Sequence, residues 1–254
     1  MVRVTVLFVL LSLLFAVFHP IPTTAGPTED LNEAIAALKA SNPEKAKPVL
    51  LRILEAQGTT DVQRAYAYFL LAECFRGTPE ALRYSAKAVE LNPKSAEFHI
   101  QLGAICYADK AYPAALNSAT KALELAPASR KALEIRGLAY RDSGETEKAI
   151  ADFSSAIALD EKIPSNYIRR GIAYYRRNEK EKATADFQTA LKLNVAGTHA
   201  GECYYYMGKM RQFEGKFDEA KKLYASARTL LKDEARIKEL ILLLEQITAN
   251  DAWR

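Results

Sequence analysis

Two sets of side chains in this 254-residue sequence are of types that do chemistry. The first is Cys74, Cys106 and Cys203 together with His19, His99 and His199. His99 and His199 lie far apart in sequence, and the chain has no Cys-x2-Cys, His-Glu-x2-His, Gly-x-Ser-x-Gly or glycine-rich phosphate loop. Metal-assisted and nucleophilic catalysis therefore lack their constellations, so the chain reads as non-catalytic, with no metal, no cofactor and no small-molecule substrate. An odd cysteine count does not make a disulfide framework; the thiols read as small buried hydrophobes, with a Cys74–Cys106 bridge as the alternative. The second set is a group of arginines and tyrosines in the second half, among them Arg141, Arg169, Arg176, Tyr175 and Tyr205, with Lys209. Arginine brings forked donors and tyrosine rigid contact area, a combination suited to an extended peptide that carries carboxylates. The alternative is that the arginines solvate a helix whose neighbours include Glu179 and Glu181.

What positions these residues is an internal repeat. Arg136/Arg170, Gly137/Gly171, Tyr140/Tyr174, Ala149/Ala183, Asp152/Asp186, Phe153/Phe187 and Ala156/Ala190 are pairs 34 positions apart. Gly103, Ala115, Ala119 and Ala122 carry the period upstream; Gly208, Ala220, Tyr224 and Ala227 carry it downstream after the insertion Gly197-Thr198-His199. Ala81 and Ala88 keep it further upstream, giving four clear copies and one or two worn ones. The first half of a copy has bulky, long, Gly and aromatic positions at i, i+3, i+4 and i+7; the second half repeats Ala, aromatic, Ala at i, i+4 and i+7. Each half is one stripe of a helix. Gly137, Gly171 and Gly208 let the two helices approach, and Gly144, Asn178 and Gly215 fall in the turn, where the left-handed conformation ends a helix. One such hairpin cannot bury its stripe alone, whereas a stack of them can.

The pattern Tyr167-x2-Arg170-Gly171-x2-Tyr174 followed by Ala183-x3-Phe187-x2-Ala190, with the helix-ending Pro93 and Pro127, resembles the tetratricopeptide repeat over residues 31–231. The resemblance implies an all-α, right-handed α-solenoid, a superhelix of stacked antiparallel helix pairs with a C-terminal capping helix. The expected organisation is a degenerate first helix pair at 26–63, repeats at 64–95, 96–129, 130–163, 164–200 and 201–231, and a capping helix with its tail at 232–254. It also implies a protein–protein interaction module or scaffold whose first helices line a concave groove. In the family members that clamp chaperone tails, Asn stands mid-face; here those positions are Ala104, Leu138 and Ile172, so that clamp is not expected.

If Tyr167, Arg170, Gly171 and Tyr174 form the buried stripe, Ser165, Ile168, Arg169, Ile172, Tyr175 and Arg176 turn to the other side. The matching sets are Lys131, Glu134, Ile135, Leu138, Arg141 and Asp142 before, and Glu202, Tyr205, Tyr206, Lys209, Gln212 and Phe213 after. The expected groove is thus basic and aromatic, with Arg141, Arg169, Tyr175, Arg176, Tyr205 and Lys209 as its candidate binding residues and an acidic peptide as its partner. Because Arg169 and Arg176 stand off the packed stripe, both are expected to be replaceable without loss of stability. His99 falls at a core position of its copy and reads as a satisfied core histidine.

The ends add location. Arg3, an uncharged apolar run over 4–18, a Pro-broken segment and Thr23-Thr24-Ala25 have the layout of a secretory signal peptide cleaved after Ala25. An uncleaved anchor is the alternative, although the run is short for a span of about 20 residues. The chain is expected to be exported, periplasmic or secreted. Its 35 basic and 31 acidic residues leave a net charge of +4, too even a balance for a polybasic nucleic-acid or membrane binder. At the other end Ile237, Leu240, Ile241, Leu244 and Ile247 form a helical stripe, while Leu242 points away and Leu243 borders it, which leaves self-association through this helix open. Two further readings stay open: a structural adaptor in a multiprotein envelope complex that uses its convex face and last helix, and an enzyme of unrecognised type.

Overall fold

The computed structural model describes residues 26–232 and 234–251; the expected signal peptide at 1–25 and Trp253 lie outside them. Thirteen α-helices make up these residues: α1 (Pro27–Lys39), α2 (Pro43–Glu55), α3 (Asp61–Cys74), α4 (Pro79–Leu91), α5 (Ala96–Ala108), α6 (Tyr112–Leu125), α7 (Arg130–Asp142), α8 (Thr146–Leu159), α9 (Pro164–Arg176), α10 (Lys180–Lys192), α11 (Gly197–Phe213), α12 (Phe217–Leu230) and α13 (Glu234–Asp251). No helix among the described residues is long and apolar enough to cross a membrane.

Local chemistry sets where the helices start and stop. Asn42, Ser95 and Ser129 accept hydrogen bonds from backbone N–H groups in the first turns of α2, α5 and α7, and Pro opens α1, α2, α4 and α9. Thr60 and Gln63 form a reciprocal capping box, so α3 begins at Asp61, ahead of the boundary expected at 64. α11 likewise begins at Gly197, ahead of 201. Lys110, Gly144, Asn178 and Gly215 each have a positive φ, one per repeat at the same register. Beside them the N–H groups of Ala111, Glu145, Glu179 and Lys216 donate back to the carbonyls of Cys106, Tyr140, Tyr174 and Arg211, which closes each first helix.

The chain divides between Pro127 and Ala128 into two compact units. In the first, the pairs α1/α2, α3/α4 and α5/α6 are antiparallel hairpins, with α2 packed on α3 and α4 on α5. Leu31, Leu50, Ile53, Leu70, Leu71 and Phe98 fill its core. Gln101 of α5 donates to the Phe69 carbonyl and to Glu73 of α3, both at 2.9 Å. His99 is buried with Nε2 3.0 Å from the Pro93 carbonyl, the core role expected of it. Cys74, Cys106 and, in the second unit, Cys203 are free thiols, so the Cys74–Cys106 bridge is not formed.

In the second unit the hairpins are α7/α8, α9/α10 and α11/α12, stacked through α8 on α9 and α10 on α11, and α13 packs on α12. The described residues are thus all-helical and arranged as stacked antiparallel pairs, the α-solenoid class. A Cβ at Gly137, Gly171 or Gly208 would lie 2.7, 2.8 or 2.6 Å from the ring of Phe153, Phe187 or Tyr224. These hairpins therefore close on an aromatic of the second helix seated against bare backbone of the first.

Candidate functional site

The second unit holds every residue of the expected groove, and its first helices α7, α9 and α11 position them. α9 is held in its hairpin by Arg170, whose Nε and Nη2 donate to the two carboxylate oxygens of Asp186 on α10 at 2.8 Å each; Arg136 and Asp152 repeat the arrangement between α7 and α8. The hydrogen-bonded carboxylate raises the already high guanidinium pKa of both arginines. These residues recur at the 34-residue period, yet their pairing across 16 positions was not read from the sequence.

Arg169 donates to Asn166 on its own helix at 3.2 Å and reaches Glu134 of α7 at 3.0 Å. Arg176 donates to the Arg141 carbonyl at 2.7 Å and to Asp142 at 3.1 Å. Arg141 holds the same Asp142 through two bonds of 2.9 Å. The three arginines thus share Glu134 and Asp142 in a ladder between successive first helices. The expectation that Arg169 and Arg176 stand clear of the packing is corrected: they are bridges, and a peptide carboxylate would compete with acids already in place.

Ile168 and Ile172, expected in the groove, are buried with Phe187, Cys203 and Met210. α9 packs both on its hairpin partner α10 and on the next first helix, α11, so it buries two stripes rather than the one the repeat pattern displays. Tyr205 is corrected likewise: it is buried, and its hydroxyl donates to Glu239 of α13 at 2.7 Å. Burial, with Glu239 beside it, pushes its phenol well above the usual range. Lys209 extends across its ring and reaches Glu239 at 3.4 Å. Tyr175 is half-buried against Tyr206, their ring centroids 5.1 Å apart.

Tyr175, Arg176 and Lys209 converge at one place, a cavity of about 540 Å³ between the α9–α10 turn and the C-terminal half of α11. Gln212 and Phe213, both on the expected face, line it too, as does Lys180. Its lining holds three cations and no acid. The nearest acids in sequence face elsewhere: Glu179 holds Arg177 and Lys182, and Glu214 holds Arg211 and Lys216. Phe213 is 77% exposed, and Lys180 Nζ stands 3.8 Å from its ring centroid. The sequence does mark Lys180: it opens α10, where the helix dipole favours an acid, and its counterparts one repeat away are Thr146 and Phe217. Among the described residues no group of His, Cys, Asp and Glu could hold a metal ion.

Comparison with known proteins agrees with the repeat architecture. Residues 137–178 match a family model described as "TPR repeat", and residues 31–80 and 76–129 match one described as "Tetratricopeptide repeat". No curated protein matches the chain. Among solved structures, Pseudomonas aeruginosa pilF is 18% identical over 85% of this chain and 96% of its own, with a TM-score of 0.69. MamA from Desulfovibrio magneticus RS-1 is 21% identical over 67% of this chain and 96% of its own, at 0.60. YrrB, described as "a TPR protein with an unusual peptide-binding site", is 19% identical over 66% of this chain and 86% of its own, at 0.56. At these identities the likeness is one of fold.

Proposed function

We propose that this chain, which belongs to the tetratricopeptide repeat family, is a non-catalytic protein–protein interaction module that binds an extended acidic peptide segment of its partner. The observation that carries this is the basic, aromatic-walled surface of the second unit, where the lining of the cavity holds three cations and no acid. The charge distribution supports it. Residues 1–127 hold 12 basic and 12 acidic residues, whereas 128–254 hold 23 and 19, so the whole net charge of +4 belongs to the unit that carries the site. The likeness to YrrB, described above as having a peptide-binding site, supports the partner class.

The module works outside the cytoplasm, in the cell envelope or beyond; the layout of Arg3, the apolar run over 4–18 and Ala25 supports export. A photocrosslinking residue placed at Tyr175, in the protein's own host, tests the binding role. A discrete protein adduct, absent when the same residue replaces the exposed Leu51 of the first unit, is the expected result. Equal labelling at both positions would contradict it.

A further inference from the structure

We infer that the cavity between the α9–α10 turn and the end of α11 takes one large apolar side chain of an acidic peptide, with Lys180 and Phe213 as the residues that select it. It is the docking point of the interaction module proposed above and rests on that reading. Three features converge there.

The cavity, at about 540 Å³, is within the roughly 300–1,000 Å³ range of ligand sites, which is room for a side chain and the backbone that carries it. Its walls offer apolar and aromatic surface: Tyr175 on one side and Phe213, 77% exposed, on the other. An aromatic ring at the mouth of a cavity gains when an apolar group covers it.

The rim supplies the charge. Arg176 and Lys209 are already engaged with Asp142 and Glu239. Lys180 has no carboxylate partner among the described residues, and its ammonium rests over the Phe213 ring at the start of a helix whose dipole adds to the positive potential. A carboxylate flanking the inserted side chain meets Lys180 first. A neutral or basic peptide gains nothing from this rim. The occupant is therefore a segment with an aromatic or branched aliphatic residue between acids.

Selection of nonapeptides from a fully randomised library on the purified full-length chain tests this. The expected winners carry an aromatic or branched aliphatic residue flanked by Asp or Glu. Their affinity falls at least tenfold for Lys180→Glu and for Phe213→Ser, and falls again in about 1 M salt, where the screening length is near 3 Å. Lys180→Glu places an acid at a helix start, so melting should hold or rise while binding is lost, which separates a lost contact from a lost fold. Winners that are neutral or basic, or that ignore both substitutions, would overturn the site while leaving a peptide-binding module standing. No selected peptide at all would overturn both.

Discussion

Gly171 shows how little slack a single residue has in these hairpins. A methyl group there would meet three atoms of the Phe187 ring at 2.8–3.1 Å, whereas at Gly103 the nearest atom, the Ser118 Cβ, is 3.4 Å away. Gly171→Ala is therefore expected to cost about 1–3 kcal/mol from overpacking. Gly103→Ala should be neutral or gain up to about 1 kcal/mol of helix propensity. Denaturant titration of the two variants checks the contrast. Charge matters at the same scale. Arg169→Glu sets a second carboxylate beside Glu134, which is mostly buried, so a loss of about 1–3 kcal/mol is expected, part of it recovered by adding Glu134→Arg. The thiols should be silent. Burial pushes Cys74 up to about 11 and Cys203 up to about 12, so thiol reagents at neutral pH should label the folded chain far more slowly than the unfolded one. Because the folded thiols hold their protons more tightly than the unfolded ones, this contribution to stability is present in full below about pH 9 and is lost as pH rises toward 11–12. From the sequence, the recurrence of Arg136 and Arg170 with Asp152 and Asp186 was visible but their pairing was not, since a repeat places positions in register and leaves contacts to packing.

At the scale of elements, α13 shows what the period continues to say beyond the last full repeat. Arg236 donates to Glu202 at 2.7 Å and Glu239 accepts from Tyr205 at 2.7 Å, both 34 positions apart, so α13 stands in the register of the next first helix. In that register Leu242 falls on the position of Gly208, which lets α12 approach α11. With Leu in that place, 55% exposed, α13 is shaped to end the stack rather than to receive a second helix as closely. Its anchor is Leu240, fully buried among Tyr205, Tyr224 and Leu231. Leu240→Ala should cost about 2–4 kcal/mol and speed amide exchange in α11 and α13 above all. The amphipathic stripe of this helix was legible. Its effect on Tyr205 was not: a tyrosine read as groove-facing from its own helix is covered by an element 34 residues further on.

Across the whole molecule the repeat class and the later hairpins followed from one 34-residue period, and the first pair and the last helix from their own apolar stripes, because nearest-neighbour packing leaves little for distant contacts to decide. The candidate binding residues followed less well. Helical geometry placed Tyr175, Arg176, Lys209, Gln212 and Phe213 on one side, but the acids that neutralise Arg169 and Arg176, and the place of Lys180 at the start of α10, emerge only when successive hairpins stack. The proposed export has its own test: amino-terminal sequencing of protein from its own host should begin at or near Gly26. As proposed, this molecule binds a peptide segment and does not transform it. Calorimetric titration of the segment that crosslinks to position 175, as a synthetic peptide, into the purified chain measures this directly when the peptide is weighed by mass spectrometry afterwards. Saturable one-to-one binding with the peptide recovered unchanged is the expected result; no binding, or a peptide returned cleaved or modified with turnover, would contradict it.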